Sequence, residues 1–139
     1  MELKDLIVKF FKFGVVGAIG FVIHGGLLFL LRDVAHINSY VANMIGFITA
    51  ASTNYFLNRW WTFRSQEKQM GVEYMKFILV SVVGLGVNSG TLWLLSLLLP
   101  EWAVEGEFRF YILWAVAVGV TTLWNFFGNM IFTFKEKHD

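Results

Sequence analysis

Four apolar runs, roughly 12–31, 40–63, 76–99 and 108–132, are separated by short polar stretches. At about 1.5 Å per residue, a helix of about 20 residues crosses a bilayer core. Helices of a soluble bundle keep a polar face, whereas these runs are apolar nearly all round. The pattern predicts an all-α integral membrane protein with four transmembrane helices. Residues 2–13 differ, because Lys4, Asp5, Lys9 and Lys12 alternate with Leu3, Leu6, Ile7, Phe10 and Phe13 at helical spacing. That stretch reads as a short amphipathic lead-in at the membrane interface. Arg32-Asp33 is expected to end the first span, and Asn38 or Ser39 to cap the second. Pro100 is expected to stop the third.

Inside the apolar runs the polar exceptions are ordered. Gly46, Ala50, Asn54, Asn58 and Thr62 recur every four residues, as do Ala117, Thr121, Asn125, Asn129 and Thr133. Positions four apart share a helix face, so each run carries a small-then-polar stripe. The first and third runs also align. Gly17 falls on Ser81, Gly20 on Gly84, His24 on Asn88 and Gly26 on Gly90, with Lys12-Phe13 on Lys76-Phe77. The chain thus reads as one domain, 1–139, made of two helical-hairpin repeats at about 10–64 and 74–135. An even number of spans per repeat gives the copies parallel orientation about an axis along the membrane normal.

Composition agrees: 57% of the 139 residues are hydrophobic and 18% aromatic. The net charge of +1 is less telling than its placement. Lys4, Lys9 and Lys12 precede the first run; Arg59, Arg64, Lys68 and Lys76 flank the middle connection; Lys135 and Lys137 follow the fourth. Arg32 and Arg109 fall on the other side, with Asp33, Glu101, Glu105 and Glu107. The positive-inside rule puts both termini and the middle loop in the cytoplasm. Basic residues at membrane boundaries give no nucleic-acid surface. Without cysteine there is no disulfide framework or thiolate chemistry. The first run lacks a small-residue cleavage site and reads as a retained helix.

Lys12-Phe13 with Gly17 and Gly20, Asn54-Tyr55-Phe56-Leu57-Asn58-Arg59 with Thr62-Phe63, and Asn125-Phe126 with Asn129 and Thr133-Phe134 resemble the GtrA-like family over nearly the full chain. The resemblance implies a multi-pass protein of the bacterial inner membrane that moves polyprenyl-phosphate-linked sugars for cell-surface polysaccharide glycosylation. It also implies a cytoplasmic-side glycosyltransferase that makes the lipid-linked sugar. The second copy departs from the pattern, with Met130 in the place of Arg59 and Gly128 in that of an aliphatic residue. A phosphate site shared equally by both halves is therefore not expected.

On that reading, Asn54, Asn58, Asn125 and Asn129 offer donors and acceptors to a sugar without a charge to desolvate. Their alternative role is hydrogen-bonding glue between helices. Arg59 lies roughly 6 Å inside the cytoplasmic edge. It can clamp the lipid phosphate through its planar fork, or snorkel to the headgroups. Lys12 and Lys76 either widen a basic vestibule or are ordinary membrane anchors. His24 is the ionisable group near mid-span, read as a neutral hydrogen-bonding partner more readily than as a proton carrier. Asn88 is its counterpart. Arg109 reads as an interfacial anchor, or as a receiver of phosphate at the exit. No nucleophile–base pair, intramembrane carboxylate, metal-ligand cluster or nucleotide loop is present in the pattern, so neither enzyme, metal nor cofactor is expected.

Two other readings stand beside translocation. One is a non-transporting membrane anchor or assembly subunit for a glycosyltransferase. The other is a dimeric small-molecule exporter, disfavoured by the missing intramembrane Glu or Asp. The glycine-rich faces at Gly17, Gly20, Gly84, Gly86 and Gly90 allow either internal packing or a homo-oligomer.

Overall fold

The structure, a computed structural model, describes residues 2–99 and 106–135, and of 106, 107, 110 and 111 the backbone alone. Pro100, Glu101, Glu105, the side chain of Glu107, Lys137 and His138 lie outside the described residues. The helices are α1 (Leu3–Phe29), α2 (Ser39–Leu57), α3 (Met70–Leu98) and α4 (Gly106–Gly128). Three continue into one π-helical turn each: π1 (Leu30–Val34) after α1, π2 (Asn58–Thr62) after α2 and π3 (Asn129–Thr133) after α4. Backbone that meets lipid must satisfy its polar groups internally, which is why the apolar runs are helices.

Among the described residues, three segments are long and apolar enough to cross a membrane: Leu3–Val34, Met70–Leu98 and Ile112–Thr133. The expectation of four spans is met for these three. α2 has 19 residues and carries Asn43, Gly46, Thr49, Ser52, Thr53 and Asn54, which lower its apolar content. The chain is a multi-pass membrane protein, and its surface agrees. Among the described residues Phe21, Tyr40, Leu85, Trp93 and Phe108 are exposed, while Asn58, Thr62, Asn129 and Thr133 are buried. Large apolar side chains outside and polar ones inside suit a hydrocarbon solvent rather than water.

The chain forms two compact units, Met1–Lys68 with Phe134–Asp139, and Gln69–Thr133. In the first, α1 and α2 pair as an antiparallel hairpin. Ala42, Gly46 and Ala50 make the buried edge of α2, and Val16 and Gly20 that of α1. Small side chains at these positions let the two backbones approach. The amphipathic lead-in expected over 2–13 is the continuous first part of α1. Arg32-Asp33 falls in the last turn of the helical segment, as expected, and the two ion-pair at 3.1 Å within π1. As expected, Asn38 caps α2, its Oδ1 accepting from the Tyr40 N–H at 2.9 Å.

α1 and α2 end in the same way. The π turn closes with Ala35 N–H to Leu30 O at 2.9 Å, or Phe63 N–H to Asn58 O at 2.8 Å. A wider loop follows, Ile37 N–H to Leu31 O at 2.8 Å or Ser65 N–H to Arg59 O at 2.9 Å. Between them His36 (φ 55) and Arg64 (φ 50) take the left-handed conformation that glycine usually supplies.

The last described residues belong to the first unit. Phe134 stacks on Phe63 at 4.8 Å and on Tyr55 at 6.0 Å between ring centroids. The Gln66 N–H donates to Lys135 O at 2.9 Å, and Lys135 Nζ pairs with Glu67 at 2.6 Å.

In the second unit α3 and α4 form a hairpin. Glu73, Phe77, Val80 and Gly84 are the buried face of α3. Trp124 Nε1 donates to Val80 O at 3.1 Å, and Gly128 admits the Val80 side chain.

Candidate functional site: two buried polar stripes

Each stripe is held by its own hairpin. In the first unit the Asn54 carboxamide rests directly on Gly20, where any Cβ would overlap it. One turn on, Asn58 and Thr62 bracket π2 and are 2% and 3% exposed. At the other end the His24 ring lies over Gly46, and its Nε2 meets Asn43 Oδ1 at 2.9 Å. In the second unit Asn125 rests on Gly84 in the same manner. Asn129 and Thr133 bracket π3 and are 1% and 2% exposed. Asn88, the counterpart of His24, donates through Nδ2 to Thr121 Oγ1 at 3.1 Å.

Satisfaction divides the polar groups sharply. Helical hydroxyls elsewhere bond back to the carbonyl four residues before: Thr49 to Ile45, Thr53 to Thr49, Ser81 to Phe77, Thr91 to Val87 and Thr121 to Ala117. Thr62 departs from them: the π turn passes the Asn58 carbonyl to the Phe63 N–H, and the Thr62 hydroxyl makes no such bond. Among the described residues, the buried side-chain atoms left without a partner are Asn54 Oδ1, Asn58 Oδ1, Thr62 Oγ1, Asn125 Oδ1, Asn129 Oδ1 and Thr133 Oγ1. These are the last three members of each stripe. Leaving one such group unpaired costs about 1–3 kcal/mol. A cost repeated at matched positions is not explained by the hydrogen bonding of the fold itself.

Three of the four basic candidates, Arg59, Lys12 and Arg109, are anchored. Arg59 is buried, 8% exposed, and its Nη2 donates to Glu67 O at 2.6 Å. At least one of its five N–H donors is thus committed to the loop after π2. Lys12 donates to Trp61 O at 3.4 Å and sits 5.4 Å above the Trp61 ring, a cation–π contact. Lys76 is exposed on α3. Arg109 turns back on α3: Nε donates to Leu99 O at 2.8 Å and Nη2 to Ser96 O at 3.1 Å. It caps the carbonyls left open at that helix end. Lys12, His24, Asn54, Asn58 and Arg59 therefore lie on the first hairpin, and Lys76, Asn88, Arg109, Asn125 and Asn129 on the second.

Four residues of interest escaped the sequence reading. Asn43 is the partner of His24, three positions before Gly46 in α2. Thr62 and Thr133 were members of the stripes but were not weighed as binding groups. Glu73 is a buried carboxylate, 1% exposed. The signal for it is its place four residues before Phe77 and seven before Val80, on the buried face of α3.

Comparison with known proteins agrees with this architecture. A protein of Bacillus subtilis (strain 168) described as the uncharacterized membrane protein YngA is 28% identical over 142 aligned residues, covering 99% of this chain and 86% of its own. The family model described as GtrA/DPMS, transmembrane domain, matches residues 12–134, from the Lys12-Phe13 opening of the first hairpin to Phe134 beyond the second stripe. The chain belongs to the GtrA/DPMS transmembrane-domain family.

Proposed function

We propose that this protein moves a polyprenyl-phosphate-linked monosaccharide across the bacterial inner membrane, for glycosylation of a cell-surface polysaccharide. The observation that carries this reading is the set of six unpartnered, buried oxygens repeated on two equivalent stripes. A sugar crossing a bilayer loses the water bound to its hydroxyls, and each hydroxyl is a donor that such oxygens can accept. The polyprenyl tail stays in lipid, and the phosphate is met at headgroup depth by Arg59, with Lys12 of the same hairpin as a further positive charge; Lys76 holds the matching place on the second hairpin. Arg59 has Met130 as its counterpart, so the phosphate contact belongs to the first repeat.

The same proposal completes the architecture. α2 with π2 is the fourth span: 19 residues and 5 residues, about 36 Å of helix. The two hairpins are parallel copies within one domain, supported by the matched pairs Gly20–Asn54 and Gly84–Asn125. Both termini and the middle loop are cytoplasmic, and the protein acts as a non-catalytic partner to a glycosyltransferase on that side. Translocation is down the gradient of the lipid-linked sugar.

Reconstitution tests this. Purified protein in vesicles should accelerate transbilayer exchange of a fluorescent polyprenyl-phosphate sugar over protein-free vesicles. No acceleration, together with co-purification of a glycosyltransferase from native membranes, would support the anchor reading instead.

A further inference from the structure

We infer that the second stripe holds a monovalent alkali cation between Asn129 and Thr133, at two of the six oxygens on which the proposed function rests. Four observations converge on this pair. Asn129 is 1% exposed, and its Nδ2 donates to Asn125 O at 2.8 Å. That bond fixes which end of the carboxamide is which, leaving Oδ1 as the unpartnered atom. Thr133, 2% exposed, presents an unpartnered Oγ1 four residues later on the same face. A held carboxamide oxygen and a hydroxyl oxygen, both buried and unpartnered, suit a hard cation, which takes such oxygens as ligands.

The backbone adds to this. Asn129–Thr133 is a π turn at the C-terminal end of α4, where the helix dipole is negative and favours positive charge. An anion at that place would meet both the dipole and the acceptor oxygens with the wrong sign. Irregular helix ends with free carbonyl-type oxygens are also where membrane transporters coordinate alkali ions.

Charge decides between the two copies. In the first repeat the residue after the equivalent asparagine is Arg59, a buried guanidinium that repels a cation. In the second it is Met130, which is uncharged. Of the charged residues near that end, Glu73 is buried on α3 and Lys76 is exposed, while Lys135, two residues after Thr133, is paired with Glu67 at 2.6 Å. The ligand oxygens themselves are neutral. Divalent sites are built largely on carboxylates, so the neutral pair points to a single charge.

The test uses the full-length protein purified in detergent, with no lipid-linked sugar added. Its thermal unfolding is followed while sodium chloride or potassium chloride replaces choline chloride at constant ionic strength. Saturable stabilisation by sodium or potassium is expected in the wild type. The isosteric Thr133→Val and the shortened Asn129→Ala should weaken the apparent affinity at least about tenfold. Asn129→Asp, which adds a negative charge, should strengthen it, a response a purely structural asparagine would not give. Asn58→Ala should leave the cation effect in place. Equal unfolding curves in all three salts would overturn the assignment, as would unchanged affinity in Thr133→Val and Asn129→Asp. So would loss in Asn58→Ala with Asn129→Ala unaffected. Because no sugar is present, failure of this test leaves the exchange assay untouched, and the reverse also holds.

Discussion

The Asn54 carboxamide occupies the space that a side chain on Gly20 would need, and Asn125 stands in the same relation to Gly84. Glycine is required there because α1 and α2, or α3 and α4, must accept an amide between their backbones. Gly20→Ala forces either the amide out of the seam or the helices apart, at a cost of about 1–3 kcal/mol. Gly84→Ala should behave alike. Gly14→Ala and Gly17→Ala meet nothing within 4 Å and should be close to neutral. Unfolding in mixed micelles reads the difference; equal stability of Gly20→Ala and Gly17→Ala would refute the packing.

The segment after π3 is held by aromatic stacking. Phe134 is 3% exposed between Tyr55 and Phe63, whereas Phe132 is 62% exposed. Phe134→Ala should cost about 3–5 kcal/mol, as for other fully buried aromatics. Phe132→Ala, on the lipid-facing side, should change stability by less than about 1 kcal/mol. The two melting temperatures, measured side by side, decide the matter.

His36 and Arg64 carry the strain of a left-handed backbone without being glycine. His36→Gly and Arg64→Gly should each stabilise the protein by about 0.5–1 kcal/mol, the relief of a crowded Cβ less the extra freedom glycine gives the unfolded chain. The corresponding alanine variants keep the Cβ and should gain nothing. A stabilising Arg64→Ala would show that the side chain, not the backbone, is the source.

Arg109 closes the end of α3 with two hydrogen bonds from a charged group. Arg109→Ala should cost about 1.5–3 kcal/mol. Arg109→Lys should recover only part of that, because a single ammonium lacks the fork that reaches Leu99 O and Ser96 O together. Full recovery by lysine would reduce the contact to a matter of charge.

Much of this could be read from residue order. Apolar runs gave the helices because a membrane leaves the backbone few alternatives, and the four-residue spacing of Asn54, Asn58 and Thr62 put them on one face. The Gly20 and Gly84 alignment also anticipated where the helices meet. The π turns were not legible, since they change hydrogen-bond partners without changing the apolar pattern, and neither was the lack of partners at Thr62 and Thr133 within them. The left-handed His36 and Arg64 were hidden because the residue types argue against that backbone. Phe134 stacks across more than seventy residues of sequence on Phe63, a contact that periodicity cannot report. Glu73 was passed over because a carboxylate near a helix start is ordinarily solvated. Arg109 was read as an interfacial anchor or an exit contact, and its helix-capping bonds were not legible because they depend on how the chain returns after α3.

The most direct test of the translocation account is exchange of a polyprenyl-phosphate sugar in vesicles by the wild type and by Asn58→Ala, Asn129→Ala and Arg59→Ala, each normalised to folded protein. The account predicts a fall of at least about tenfold in each variant, the loss of roughly one transition-state hydrogen bond or more. Wild-type rates in all three would contradict it.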